Sequence, residues 1–372
     1  MAPLTYCSNI HPGESWADVL HNLNTHVLEV KAQLGNNQEP FPLGLRIAAQ
    51  AAGEIDEAAI KEFQRWCQEH NSYLLTINGF PYGTFHQQRV KEQVYQPDWR
   101  QAERAEYSKQ LGDIAVRLQP DAKRIAISTV PVAFKPDFDE ADWDEVCKYI
   151  REVAEHYYQL HQQTGITLIL ALEPEPLCVL ETTEEALAFF SRLDLPERLR
   201  HYVGLCFDCC HQAVEFEEPA ECLKQIQMAG IPIGKVQVSS ALRARGEEIE
   251  NLFAFDEPVY LHQVVAQHEH TGALSRYPDL SDLRLALDKG ERFTECRVHF
   301  HIPIFQEHLG QVGTTQFFLR EFLPLLPSPI PLEVETYSFS AIPPALRSGS
   351  VSDNIARELQ WVTDLLQSDC SR

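Results

Sequence analysis

The sequence predicts a single (β/α)8 barrel, and three observations carry that prediction. Eight short apolar, β-branched runs alternate with segments of helical periodicity, the pattern of βα units around a parallel sheet. Eight such units in one chain favour closure over an open sheet, because right-handed crossovers place every helix outside. No low-complexity tract, coiled-coil heptad or clear linker divides the 372 residues, so one domain spanning 1–372 is expected.

The expected strands are 4–10 (LTYCSNI), 43–48 (LGLRIA), 73–78 (YLLTIN), 124–129 (RIAIST), 167–173 (TLILALE), 202–208 (YVGLCFD), 233–239 (IGKVQVS) and 331–336 (PLEVET). Helical periodicity fills most gaps, as at 58–70, 143–163 and 183–193. Two spacings are long. The stretch 80–119 follows Gly79 and contains Pro81 and Gly83, so it is expected to loop over the barrel mouth. Residues 240–328 read as an insertion between strands 7 and 8 at the same mouth, with two strand-like runs at 260–266 and 296–302.

Composition removes several classes of partner. Lys and Arg total 31 against 54 Asp and Glu, and the resulting charge of −23 repels a phosphate backbone, so nucleic acid is not expected as a partner. No run of 18 apolar residues and no basic-then-apolar start is present, which predicts neither membrane insertion nor a signal peptide. The cluster Cys206, Cys209 and Cys210 lacks the second half of a zinc ribbon, so reduced thiols and a cytoplasmic location are expected.

In a barrel of this type chemistry sits at the C-terminal ends of the strands. Strand 5 ends in Glu173 and Glu175, strand 6 in Asp208 with His211 three residues on, and strand 8 carries Glu333 and Glu335 on one face. The run RVHFHIPIF points His299 and His301 the same way if it is a strand. His11, Asn78 and His86 follow strands 1 and 3. Carboxylates and imidazoles are ligands of divalent metals, and carboxylates gathered in a concave mouth repel one another unless a cation neutralises them. Trp16 stands among several aromatic residues near the mouth, where a ring can stack on a ligand. Arg276, in QHEHTGALSRYPDL, is the candidate for gripping an anionic group.

The order Glu173, Asp208-x-x-His211, a polar residue on strand 7, a His-bearing segment and Glu335-Thr336 resembles the xylose isomerase-like barrels, which include sugar epimerases and endonuclease IV-type enzymes. More closely, LTYCSNIHPGESW, TINGFPYGTFH with VKEQVYQPDW, and HFHIPIF look like the EboE family of metabolite traffic proteins from bacterial and cyanobacterial gene clusters. That resemblance implies a role in making or exporting a small secondary metabolite such as a scytonemin precursor, alongside other proteins of the cluster. The resemblance to the isomerase and epimerase barrels implies Glu173, Asp208 and Glu335 as metal ligands, with His211 facing substrate or joining the metal. Gln237 and Ser239 stand on strand 7 where the pattern has a histidine. A glutamine oxygen suits magnesium or manganese better than zinc, and His299 or His301 could supply the missing imidazole.

The leading expectation is a metal-dependent isomerase or epimerase acting on a sugar-like or cyclitol-like molecule, with Mn, Mg or Zn as the ion. Glu173, Glu335 and His211 would act on the substrate. Two alternatives stay open: a zinc-dependent phosphoester hydrolase, and a metabolite carrier without catalysis.

Overall fold

A computed structural model of the chain describes residues 2–35, 39–84, 91–327 and 329–369. Eight parallel strands form the barrel wall: β1 (Leu4–Tyr6), β2 (Phe41–Arg46), β3 (Ser72–Asn78), β4 (Arg124–Thr129), β5 (Thr167–Leu172), β6 (Val203–Asp208), β7 (Ile233–Val238) and, after six intervening strands, β14 (Leu332–Val334). Their order is β1-β14-β7-β6-β5-β4-β3-β2. A parallel bridge between Cys7 and Gly44 draws the two ends together, leaving a nearly closed barrel. Glycine is required at that seam, since a Cβ on residue 44 would lie 2.7 Å from the Tyr6 carbonyl oxygen and 2.9 Å from Glu333 Cδ.

The helices outside are amphipathic for evident reasons. In the helix Trp143–Thr164 the residues Val146, Cys147, Ile150, Val153, Ala154, Tyr157 and Leu160 recur at three- and four-residue spacing and are buried. Gly165, at φ 76°, ends it. Thr182 and Glu185 form a capping box that starts the helix Thr183–Leu193 straight after the strand 5 loop.

All eight predicted strands are present, with shifted ends. Strand 1 stops at Tyr6 rather than residue 10, because Ser8–Ile10 forms a 3-10 turn. The insertion departs further from expectation. Instead of a strand pair it builds a six-stranded antiparallel sheet from β8 (Leu242–Arg245), β9 (Val264–His268), β10 (Leu274–Tyr277), β11 (Phe293–Val298), β12 (His308–Leu309) and β13 (Val312–Thr314), in the order β10-β9-β11-β8-β13-β12. Short strands paired to distant neighbours leave weak local periodicity, so only the two longest showed in the sequence. This sheet has its own apolar core, including Leu252, Val264, Leu280, Leu283 and Phe300. The run 267–280, which holds Arg276, forms a β9–β10 hairpin leading into a helix.

Inside the barrel, below the mouth, Lys235 Nζ lies 3.1 Å from Glu333 Oε2, with both side chains fully buried, and Thr76 Oγ1 donates to the same oxygen. Among the described residues no helix is long and apolar enough to cross a membrane, and nine cysteines are free and buried.

Candidate metal and active site

The strand ends do converge. One oxygen from each of Glu173, Asp208 and Glu335 lies within 4.8 Å of the others, and all three residues are buried. Asp208 caps the short helix Cys209–Val214: its Oδ1 accepts from the His211 backbone N–H at 3.0 Å and from Ser239 Oγ at 2.7 Å. That division of labour leaves Oδ2 buried with no hydrogen-bond partner, as is Glu173 Oε2. Glu335 Oε1 accepts from Asn9 Nδ2 at 2.7 Å and Asn78 Nδ2 at 3.3 Å.

Three imidazoles face this group. His211 Nδ1 lies 2.8 Å from the Pro174 carbonyl oxygen and His301 Nδ1 lies 2.9 Å from the Glu335 carbonyl oxygen. His299 Nδ1 lies 2.9 Å from Gln263 Oε1, whose amide is oriented by donating through Nε2 to Tyr95 Oη at 2.9 Å. Each partner can only accept, so each Nδ1 carries the proton and each Nε2 presents a lone pair. Those lone pairs meet head on, with His299 Nε2 3.1 Å from His211 Nε2 and 3.2 Å from His301 Nε2. Asp208 Oδ2 stands 3.8 Å from His211 Nε2 and 4.0 Å from His301 Nε2.

The electrostatics follow from this crowding. Burial, then the charge of Asp208, pushes Glu173 well above the usual carboxylate range. Burial, then Glu173 and Asp208, does the same to Glu335. Burial pushes Glu175 up to about 8, although Tyr95 Oη donates to its Oε1 at 2.6 Å. Burial likewise pushes His211 down to about 4 and His299 well below its ordinary range, keeping the imidazoles neutral. Buried carboxylate oxygens without partners, beside neutral imidazoles whose lone pairs converge, fit a divalent cation.

Gln237 on β7 lies between Asp208 and Glu333 in register, fully buried, with neither amide atom hydrogen-bonded. Its oxygen is available to a hard cation, whereas Ser239 is occupied with Asp208. His299 and His301 are not on a strand as expected, since β11 ends at Val298, yet the backbone beyond it still brings both rings into the site.

Other candidates stand elsewhere. Asn78 lines the cavity over the carboxylates, but His11 does not: it is buried behind them, 3.1 Å from Tyr6 Oη and stacked on His26. Trp16 packs on Phe63 in the core. Arg276 is turned onto Glu181 and Glu215, which neutralise its guanidinium. His86 lies outside the described residues. Asn9 and Gln263, which carried no signal in the sequence, join the site instead, and Tyr95 and Tyr337, two of the aromatic residues expected near the mouth, line the cavity with them. Asn9 is brought in by the 3-10 turn that replaces the expected end of strand 1, and only its neighbour His11 had drawn attention.

Residues 42–289 match the family of xylose isomerase-like TIM barrels, and the chain belongs to that family. Its structure resembles a xylose isomerase-like TIM barrel protein from Mycobacterium smegmatis solved with magnesium, at 13% identity and TM-score 0.55, covering 99% of this chain and 97% of that one. It also resembles D-psicose 3-epimerase from Clostridium cellulolyticum H10 solved with D-tagatose, at 14% identity and TM-score 0.52, covering 99% of each chain. The probable 3-DHS dehydratase AsbF from Bacillus anthracis aligns at 12% identity and TM-score 0.51, over 98% of this chain and 99% of that one. At such identities the likeness establishes the fold. No curated protein sequence matches the chain.

Proposed function

We propose that the protein is a metal-dependent isomerase or epimerase acting on a sugar-like or cyclitol-like carbonyl compound. One observation carries this reading: Glu173, Asp208 and Glu335 converge at the ends of β5, β6 and β14, with a partnerless buried oxygen on each of the first two. Glu173, Asp208 and Glu335 would hold the ion, with Gln237 or an imidazole completing the set. The ion, when bound, supplies Lewis-acid polarisation of a substrate carbonyl and its neighbouring hydroxyl. With the ion bound and their protons displaced, one of the ionised carboxylates Glu173 and Glu335 would take the proton from the carbon beside that carbonyl and return it to the same or the neighbouring carbon. Neutral His211, facing the cavity, orients a substrate hydroxyl. The magnesium complex and the epimerase with its ketose among the structural neighbours agree with this chemistry. The finer assignment to the EboE family, with partners of one gene cluster, rests on the segments quoted above, and cytoplasmic action rests on the reading of the cysteines as reduced thiols.

The test is hydrogen exchange in D2O, followed by NMR, across a panel of ketoses and keto-cyclitols with metal-loaded protein. Deuterium should enter at the carbon beside the carbonyl, and chelation or Glu335→Gln should abolish it. Binding without exchange on any of them would favour a carrier.

A second reading has its own observation. His211 and His301 group with Asp208, and His299 adjoins both rings, so a nitrogen-rich group stands beside the carboxylate group and shares Asp208 with it. Nitrogen ligands suit zinc, and a neighbouring pair of ions suits phosphoester hydrolysis. Two zinc ions per chain together with cleavage of bis(p-nitrophenyl) phosphate would establish it in place of isomerisation.

A further inference from the structure

The cavity above the carboxylates, about 530 Å³ including its open mouth, has two unlike ends. Its floor is the carboxylate and histidine group. The rest of its lining is largely apolar, with Phe80, Pro81, Val94, Tyr260 and Leu261 beside Lys91 and the amides of Asn9, Asn78 and Gln263. Tyr260 belongs to a small apolar cluster with Val94, Val259, Tyr337 and Ala341 that is separate from both main cores. The tyrosines deeper in the wall turn their hydroxyls to the floor, Tyr95 to Glu175 and Tyr337 to within 3.3 Å of His299 Nε2, so ring carbon faces the space above.

Charge narrows the occupant further. Among the described residues lining the cavity Lys91 is the one cation, and its ammonium is paired with Asp279. Arg276 is closed off by Glu181 and Glu215. Among the described residues a phosphate or carboxylate on the substrate finds no unpaired cation in the cavity wall, and the distal hydroxyls of a bare sugar would be buried against carbon, which costs free energy.

Resting on the metal-dependent reading above, we infer that the substrate is uncharged and two-ended. A carbonyl or vicinal hydroxyl end meets the floor, and an aromatic or aliphatic group fills the rim. The site would thus take a sugar or cyclitol bearing an apolar substituent rather than a free or phosphorylated monosaccharide.

Hydroxamates test this, because all carry one head that chelates a divalent ion through two oxygens while the tail varies. Metal content is first established by elemental analysis; absence of metal overturns the underlying reading, and the inference with it, before any probe is added. Titration calorimetry on metal-loaded protein then compares acetohydroxamate, 3-phenylpropanohydroxamate and phosphoglycolohydroxamate. The phenyl-bearing probe should bind at least about tenfold more tightly than acetohydroxamate, the increment of burying roughly two methylene equivalents. The phosphate-bearing probe should gain nothing. Leu261→Ser and Val94→Ser should each weaken the phenyl-bearing probe more than acetohydroxamate. Equal affinities for the methyl and phenyl tails, tighter binding of the phosphate tail, or no hydroxamate binding to protein that holds metal, would each overturn the inference while leaving the metal-dependent reading intact.

Discussion

The two halves of the site are built by different parts of the molecule and solve different physical problems. The barrel supplies Glu173, Asp208 and Glu335, oxygen ligands whose charges crowd one another at adjacent strand ends. The antiparallel insertion supplies His299 and His301, neutral rings whose tautomers are fixed by Gln263 and the Glu335 carbonyl. The first half is strained by like charge, the second by facing lone pairs, and one kind of guest relieves both. Asp208 joins them, since it belongs to each group, with its Oδ2 3.8 Å from His211 Nε2 and 4.0 Å from His301 Nε2.

The hardest break in that comparison is Asp208→Asn. It keeps the helix-capping oxygen but removes the shared charge, so metal affinity should fall by more than about 100-fold, beyond the cost of losing a merely supporting partner. Competition with a chelating dye measures it; a smaller loss would mean that the halves bind independently. Next in size is Lys235→Met. Stripping the buried ammonium from Glu333 should destabilise the protein by about 3–5 kcal/mol in denaturant unfolding, and Lys235→Met with Glu333→Leu should recover most of it. If the single variant is mild, the ion pair does not hold the barrel floor beneath the carboxylates.

What the sequence disclosed follows the same division. Parallel strands buried on both faces leave continuous apolar runs, and their C-terminal ends fall at predictable positions, so Glu173, Asp208 and Glu335 could be named with their strands. The insertion was legible only as an irregular stretch. His299 and His301 were found by their spacing, but for a reason the structure changes: they lie past the end of β11, and tertiary contacts rather than strand alternation aim them. Asn9 was hidden because a local 3-10 turn, which no periodicity marks, replaces the expected end of strand 1 and brings its amide to Glu335. Arg276 looked available because sequence does not show that Glu181 and Glu215, from other elements, close on it.

Proton release sharpens the comparison further. Glu173 and Glu335 are raised, so the metal-free protein retains protons there that an ion must expel, whereas His211, lowered to about 4, has none to lose above that pH. Metal affinity should therefore increase as pH rises from the ordinary carboxylate range toward neutrality and beyond, and weaken as it falls. Calorimetry in buffers of different ionisation enthalpy should count at least about one proton released per ion bound. No release would indicate that the carboxylates are already ionised without metal.

The smallest expected effect concerns Gln237, where the two halves disagree about what a seventh strand should carry. Both amide atoms are buried without partners, a cost of about 1–3 kcal/mol in the metal-free protein, so Gln237→Leu should leave that form equally stable or slightly more so. If the amide oxygen meets the ion, the same change should weaken metal binding by about tenfold, and the metal-loaded protein should lose the advantage that the metal-free protein gained. Thermal unfolding with and without metal gives the sign directly. Opposite shifts in the two forms place Gln237 with the barrel carboxylates as a ligand retained despite its cost. Parallel shifts would mean that the insertion's imidazoles have taken over the role of strand 7 and left the glutamine as a buried remnant.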